Sequence, residues 1–113
     1  MNRSHVTTHV LDATTGTPAV GLSVMLSARG EDGWLVIASG VTDADGRVGS
    51  LGPESLNTGI YQVRFDTGAY FARGGQESFY PSVEIAFHIT DAEQHYHVPL
   101  LLSPFAYSTY RGS

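Results

Sequence analysis

The sequence predicts an all-β sandwich, and three observations support that prediction. Thirteen glycines and five prolines interrupt the 113 residues at short intervals. Between them lie runs rich in Val, Ile, Thr, Tyr and Phe, in which apolar and polar residues alternate. Turn-forming pairs such as Asp32-Gly33 and Asp45-Gly46 separate the runs. Alternation with a period of two, broken by turns about every 8 to 12 residues, is typical of a sandwich or barrel.

The alternating runs predict the positions of the strands. These runs cover residues 5–11, 22–29, 34–41, 47–51, 60–66, 83–90, 95–102 and 105–111. Turns are predicted at 15–18, 51–53 and 103–104, where Gly or Pro occurs. Residues 68–73 do not alternate and precede Gly74-Gly75, so they predict one short helix. No repeat or domain boundary is visible, and residues 1–113 are expected to form a single domain.

Composition excludes several classes of protein. There is no cysteine, so a disulfide framework and a thiolate nucleophile or ligand are excluded. A formal net charge of -5 with only six Lys and Arg argues against nucleic acid as a partner. No apolar run approaches the roughly 18 residues of a membrane span. Residues 1–16 also lack the apolar stretch of a signal peptide, so we expect a cytoplasmic protein without a membrane partner.

Alternation also assigns each strand two faces, because successive side chains point to opposite sides. The predicted core-facing residues are Val6, Thr8, Val10, Val83, Ile85, Phe87, Ile89, Tyr96, Val98, Leu100 and Leu102. The predicted outward rows are His5, Thr7, His9 and Leu11 on one strand and His95, His97, Pro99 and Leu101 on another. Rows that mix histidine with Leu and Pro are typical of an interface or a binding site rather than of bare surface.

Several residues allow both a functional and a plain interpretation. His9, His95 and His97 could form a three-histidine zinc site, but no fourth ligand is evident, and paired histidines on a strand are common without metal. The Asp43–Gly46 segment is similar to the start of a calcium loop but lacks its later ligands, so a tight turn with Gly46 at positive φ is favoured. Arg47 and His88 would by default be surface residues. No Gly-x-Ser-x-Gly motif supports a serine nucleophile.

A family resemblance changes this balance. It is carried by TTHVLD (7–12) with GTPA (16–19), the turn DGR (45–47), FYP (79–81), HYHVPLLLSP (95–104) and YSTYRGS (107–113). In this order the segments resemble the 5-hydroxyisourate hydrolases of the transthyretin-like family. The Tyr-Arg-Gly-Ser ending, the two histidines and the arginine distinguish those enzymes from the carrier transthyretin. Phe105-Ala106 stands where family members tend to have Tyr-Gly, and residues 22–41 carry no recognised family chemistry.

The resemblance implies a fold, an assembly and a reaction. It implies two four-stranded sheets, a homotetramer built as a dimer of dimers, and active sites between the dimers. The implied reaction is cofactor-independent hydrolysis of 5-hydroxyisourate, without a metal, to 2-oxo-4-hydroxy-4-carboxy-5-ureidoimidazoline in urate degradation. The implied catalytic residues are His9, Arg47, His97 and Ser113. The implied substrate-binding residues are His9, Arg47, Tyr110 and Arg111, although Arg111 could instead hold the C-terminal segment in place.

Two other classes of function remain as alternatives. A small-ligand carrier of the transthyretin kind would use the same channel without needing His9, Arg47 and His97. A structural module, such as an adhesion or carbohydrate-binding domain, would share the sandwich, because a fold does not determine a function. Such a module would leave the Tyr110–Ser113 segment unexplained.

Overall fold

Two four-stranded sheets pack face to face in the computed structural model, which describes residues 3–113. The strands are β1 (Val6–Asp12), β2 (Thr17–Pro18), β3 (Ser23–Gly30), β4 (Gly33–Val41), β5 (Gly59–Phe65), β6 (Val83–Ile89), β7 (Tyr96–Leu102) and β8 (Tyr107–Thr109). One helix, α1 (Thr67–Arg73), follows β5. The strand order is β2-β1-β7-β8 in the first sheet and β4-β3-β5-β6 in the second. The predicted sandwich with one short helix is thus confirmed.

The core lies between the inward rows of the two sheets. Fully buried side chains from the first sheet include Val6, Val10 and Leu100, and those from the second include Leu26 and Phe65. All strand pairs are antiparallel except β1 with β7, which run parallel and in register from Val6–Tyr96 to Asp12–Leu102. The predicted inward residues of β1 and β7 are all buried, and those of β6 are buried or half-buried.

Residues 47–51 do not form the predicted strand. Only Arg47 pairs there, through an isolated bridge to His9. Leu51 then enters the core, and its backbone N–H donates to Ser4 Oγ at 2.8 Å. The extended segment ends because the chain turns at this Gly-rich connection to place the Leu51 side chain in the core. The predicted turn at 15–18 also differs, because Thr17–Pro18 forms a two-residue edge strand beside β1, where proline is tolerated.

His5 was predicted to face outward and is instead buried, at 5% exposure. It precedes the first residue of β1, so the alternation does not extend to it. Its Nδ1 accepts the Leu56 N–H at 2.8 Å, and its Nε2 lies 2.6 Å from the Gln94 carbonyl. Both ring nitrogens are therefore satisfied, as burial of a polar side chain requires. His5 joins the N-terminal segment to two loops.

The last predicted strand is shorter than expected. Pairing of β8 with β7 stops after Leu100–Thr109 and resumes at an isolated bridge between His97 and Gly112, without a change of register. Pro99 lies in the gap and has no N–H to donate, while its carbonyl accepts the Thr109 hydroxyl at 2.7 Å. Across the described part of the chain, no helix is long and apolar enough to cross a membrane.

The turn before Arg47 is folded tightly onto β1. Asp43 Oδ1 accepts the backbone N–H groups of Asp45 at 2.9 Å and Arg47 at 3.1 Å. Gly46 has φ of 76°, which confirms the predicted positive φ. Its carbonyl accepts the Val10 N–H at 2.9 Å, and a Cβ on Gly46 would lie 2.5 Å from the Val10 carbonyl oxygen. The turn can approach β1 this closely only with glycine at position 46.

Gly46→Ala should therefore destabilise the protein more than Gly16→Ala. Gly16 has nearly the same φ, 75°, but a Cβ there would meet no atom within 4 Å. Gly16→Ala should lower the free energy of unfolding by about 1 kcal/mol, from backbone strain alone. Gly46→Ala should lose about 1–3 kcal/mol more, because it also overpacks the contact with β1. Urea unfolding measures both values, and equal losses would show that the close approach does not matter.

Candidate functional site

The outward face of the first sheet carries the histidines that the sequence singled out. In the parallel register of β1 and β7, Thr7 lies beside His97 and His9 lies beside Pro99. Thr7, His9, His95 and His97 are all half-buried, in contrast to the buried inward rows of the same strands. Two strands distant in sequence thereby bring a group of polar side chains to one end of this face.

Arg47 reaches this face from the docked turn. The turn sets Arg47 opposite His9 in an antiparallel bridge, and a Cβ on Gly46 would lie 3.4 Å from His9 Cδ2. The single ion pair found within residues 3–113 joins Arg64 and Glu84, at 3.9 Å. The Arg47 guanidinium is therefore not held by a carboxylate in the described structure. It adds a positive charge to the histidine face, although the nearby Asp43 carboxylate interacts with it electrostatically.

The C-terminal segment closes the same end of the face. The Gly112 N–H donates to the His97 carbonyl at 2.9 Å. A Cβ on Gly112 would lie 2.5 Å from His97 Cδ2 and 3.1 Å from Pro99 Cγ. Glycine is needed at position 112 because the backbone passes directly against the imidazole. Since Ser113 follows, this close approach also determines where Ser113 lies.

Arg47, His97 and Ser113 line one cavity of about 340 Å³. The other lining residues are Arg3, Thr7, Thr8, Val48 and His95. His9 does not line this cavity. It lies two residues beyond Thr7 on the same face of β1, beside Pro99 and opposite Arg47. The cavity combines two arginines, two imidazoles and two kinds of hydroxyl side chain. Such a surface suits a small ligand rich in oxygen and nitrogen.

Tyr110 and Arg111 lie elsewhere. They line a second cavity of about 310 Å³, together with residues of β6 and β7 that include Phe87 and His97. The Arg111 guanidinium lies 4.4 Å from the centroid of the Tyr96 ring, and its Nη2 donates to Gln94 Oε1 at 3.1 Å. Within one chain the structure does not bring these two residues into the Arg47 cavity. The contacts of Arg111 match the alternative in which it holds the C-terminal segment.

Five lining residues were not predicted as site residues: Arg3, Thr7, Thr8, Val48 and His95. Thr7 and His95 belong to the predicted outward rows, so they were visible, but only the pairing of β1 with β7 shows that Thr7 lies between the two histidines. Arg3 precedes the first strand, and no pattern in the sequence marks it. No pattern in the sequence marks Val48 either, which completes the cavity wall.

The pKa of His97 is lowered from its ordinary value. Burial is the main cause, since it disfavours the charged imidazolium, and the positive charge of Arg47 adds to it. The pKa of His95 is also lowered, first by burial and then by the charge of Arg3. His97 is therefore predominantly neutral near pH 7, in the form that can accept a proton.

A metal site is not formed by the side chains described. In residues 3–113 no group of three or more His, Asp or Glu side chains is arranged to hold a metal ion. His95 Nε2 and His97 Nδ1 both contact Thr7 Oγ1, at 2.8 and 2.9 Å, so these ring nitrogens face a hydroxyl rather than a shared metal position. The Asp43 carboxylate is occupied by its own turn.

Comparison with known proteins gives consistent matches. The model of the HIUase/Transthyretin family matches residues 6–112. The 5-hydroxyisourate hydrolase of Mus musculus is 49% identical over an alignment of 113 positions, which covers 97% of this chain and 96% of the mouse protein. The structure of Klebsiella pneumoniae 5-hydroxyisourate hydrolase has a TM-score of 0.85 and 44% identity, with 96% of this chain and 98% of the other covered. Sea bream transthyretin in complex with thyroxine has a TM-score of 0.89 and 39% identity, over 95% and 93% of the two chains.

Substituting Arg47 should separate the titrations of the two cavity histidines. Arg47→Gln removes a positive charge that lowers the pKa of His97 but is not among the causes for His95. We therefore expect the pKa of His97 to rise toward its ordinary value while that of His95 stays nearly unchanged. NMR titration of the imidazole Cε1 protons measures both, with exposed His88 as an internal control. Equal shifts of both histidines would contradict the placement of Arg47 beside His97.

Proposed function

Because the chain belongs to the HIUase/Transthyretin family, we propose that it is a hydrolase that converts 5-hydroxyisourate to 2-oxo-4-hydroxy-4-carboxy-5-ureidoimidazoline in urate degradation toward allantoin. Its similarity to the mouse and Klebsiella hydrolases extends over nearly the whole chain. The observation that carries the proposal is the cavity that Arg47, His97 and Ser113 share beside His9. These are the residues that the family resemblance indicated from the sequence.

Opening a cyclic amide with water makes three chemical demands. A base must remove a proton from the attacking water, positive charge must face the oxygen on which negative charge develops, and the departing ring nitrogen must receive a proton. A neutral imidazole can meet the first demand, and an imidazolium can meet the third. A guanidinium, which stays charged and has a planar set of donors, can meet the second. The cavity holds both kinds of group and needs no cofactor to supply them.

The roles of individual residues follow from their surroundings. His97 is the general base, because its lowered pKa keeps it neutral near pH 7 and it lines the cavity. Arg47 stabilises the oxyanion, since no carboxylate within the described chain forms an ion pair with its guanidinium. His9, beside Arg47, delivers the proton to the leaving nitrogen. Ser113 contributes its hydroxyl to orienting the water, at the position that Gly112 allows.

Tyr110 and Arg111 take supporting roles in this proposal. Tyr110 is 60% exposed and lines the second cavity. It contacts the substrate ring when the substrate reaches that cavity, whether from the same chain or from the site of a neighbouring subunit. Arg111 anchors the C-terminal segment through Tyr96 and Gln94, so that Gly112 stays against His97. Arg111 thus acts on substrate binding through the position of the tail.

The carrier alternative has one observation in its favour, which is the structural similarity to a transthyretin in complex with thyroxine. A carrier for an apolar ligand would favour an apolar channel. The cavity here instead has arginine, histidine and serine in its walls. The hydrolase accounts for those residues, whereas the carrier leaves them without a function.

The proposed assembly is a homotetramer made of two dimers. β6 and β8 are edge strands of the two sheets, and together they line one cavity, so their unpaired edges lie on the same side of the sandwich. Open edges favour pairing with a second copy. The outward rows of β1 and β7 continue past the histidines as Leu11 and Leu101, which are half-buried. An apolar surface of this kind suits contact with a second dimer, which would enclose the cavity.

The direct test of the function mixes the purified protein with freshly generated 5-hydroxyisourate. The decay of its absorbance is compared with the spontaneous rate, and the product is identified by NMR. Acceleration that scales with protein concentration is expected. A rate equal to the spontaneous rate, from folded protein, would overturn the hydrolase and leave the carrier as the alternative, which binding of thyroxine would then test.

Alanine substitution of each of the three central residues of the proposed site should strongly reduce turnover. We expect His9→Ala, Arg47→Ala and His97→Ala to lower kcat by roughly 10²-fold or more, because each removes acid–base or oxyanion assistance of that size. Melting temperatures should change little, since none of the three lies in the core. His88→Ala, at an exposed position on β6, is the control and should retain full activity. Similar losses for His88→Ala and His97→Ala would refute the site.

Leu101→Glu should disrupt the proposed tetramer. A carboxylate placed in a desolvated interface without a partner is strongly unfavourable, so the tetramer should dissociate to dimers and activity should fall. Ser39→Glu is the control, because Ser39 is exposed on β4, the edge strand of the second sheet opposite to β6, and it should leave the tetramer and the activity intact. Sedimentation velocity distinguishes the species. An intact and active tetramer for Leu101→Glu would place the active site away from this interface.

A further inference from the structure

Thr7 connects the two histidines of β7 in a way that the proposed catalytic roles do not use. Its Oγ1 lies 2.8 Å from His95 Nε2 and 2.9 Å from His97 Nδ1. All three side chains are half-buried on the outward face. The contacts form because Thr7 lies beside His97 in the parallel register, with His95 two residues earlier on the same side of β7. The result is a continuous chain of polar atoms from one imidazole to the other.

The chemistry of a hydroxyl limits how this chain can be protonated. Thr7 has one hydrogen to donate and two lone pairs that accept. It can therefore donate to only one of the two imidazoles, and whenever it does so the other imidazole must donate to it. If Thr7 donates to His95, then His97 carries its proton on Nδ1 and has a bare Nε2. If Thr7 donates to His97, then Nε2 of His97 carries the proton. The hydroxyl thus couples the two tautomers.

His95 also borders a cavity on its other side. This cavity, of about 290 Å³, is lined by Glu54, Glu93 and Gln94 among others, and it is separate from the Arg47 cavity. His95 and Arg3 line both cavities. The imidazole of His95 therefore stands between the site that holds His97 and a polar, acidic space at the protein surface.

We propose that Thr7 and His95 form a proton relay that links His97 to the acidic cavity and sets the tautomer of His97. The relay rests on the proposed hydrolase function for its catalytic meaning, but its existence can be tested without substrate. Thr7 and His95 are positioning residues here, because neither needs to touch the reacting atoms.

The proton balance of the relay is simple. In the starting state Thr7 donates to His95, and Nε2 of His97 is bare. His97 takes a proton from water at Nε2 and releases its Nδ1 proton to Thr7, whose own hydroxyl proton moves to His95 Nε2. His97 is then neutral with a proton on Nε2, and the positive charge rests on His95. Return of the proton from His95 through Thr7 resets the chain, whereas loss of the Nδ1 proton of His95 to the acidic cavity leaves both histidines neutral with a proton on Nε2, the opposite tautomer of His97.

The charged groups around the relay favour the return of the proton. Arg3, His5 and His97 disfavour a positive charge on His95, and burial disfavours it further. Arg47 and His9 have the same effect on His97. Glu54 and Glu93 line the acidic cavity with His95, but neither is among the charges that shift the pKa of His95. The contact of Arg111 with His95 is to the backbone carbonyl, at 3.4 Å. His95 can thus hold a proton for a short time without becoming a permanent cation.

Thr7→Val tests the relay, because valine keeps the shape of the side chain and removes the hydroxyl. Nitrogen-15 NMR of the imidazoles should show the tautomer populations of His97 changed in Thr7→Val and restored in Thr7→Ser. An unchanged tautomer population in folded Thr7→Val would overturn the relay, whether or not the protein hydrolyses 5-hydroxyisourate.

Kinetics supply the second readout. We expect Thr7→Val and His95→Gln to lower kcat by roughly tenfold or more with KM nearly unchanged, and to reduce the solvent deuterium isotope effect on kcat. Thr7→Ser should recover most of the rate, and His88→Gln should match wild type. A Thr7→Val variant that keeps the kcat and the solvent isotope effect of an active wild-type protein would overturn the relay and leave the hydrolase intact. Inactive wild-type protein would overturn the hydrolase, and the NMR result would still decide on the relay.

Discussion

The parallel pairing of β1 with β7 is the constraint on which the rest of this structure depends. The two strands are separated by more than 80 residues of sequence, and they pair in register over seven positions. That register gives one side of each strand to the core, where Val6, Val10 and Leu100 are fully buried. It gives the other side to a row in which Thr7 meets His97. A shift of one residue would exchange the two faces and bury the histidines, so the hydrophobic core itself keeps the site in place.

Two glycines then bring separate segments against this face. Gly46 lets the Asp43–Arg47 turn lie on β1, and Gly112 lets the C-terminal segment lie on the His97 ring. In both places a Cβ would collide with an atom of a neighbouring strand. A larger side chain would not fit at either position. The close approach in turn fixes the residue that follows each glycine, Arg47 in one case and Ser113 in the other. Backbone geometry and cavity chemistry are thus determined together.

Much of the fold could be predicted from the sequence, since the faces of β1, β6 and β7 follow from alternation alone. The errors have physical causes. Residues 47–51 have the composition of a strand, but Leu51 turns into the core instead of continuing along an edge. His5 continues the alternation in sequence but precedes the strand, and two loops that no local pattern reveals bury it. Local patterns describe which side of a strand a residue takes, but not which distant segment covers it.

The site shows the same division. His9, Arg47, His97 and Ser113 were identified through a family resemblance, because no local pattern marks an arginine after a turn as functional. The bond between Thr7 and His97 spans 90 residues of sequence and is visible only in the structure. The similarity to sea bream transthyretin, with a TM-score of 0.89, indicates that the sandwich is compatible with more than one function. What separates a hydrolase from a carrier is therefore a small set of outward side chains. Each of them is held by a feature that the core does not require: a turn closed by Asp43, a glycine packed against an imidazole, and a hydroxyl shared by two histidines. Since none of these features contributes a side chain to the hydrophobic core, their presence together is better explained by the chemistry of the cavity than by the burial of apolar surface.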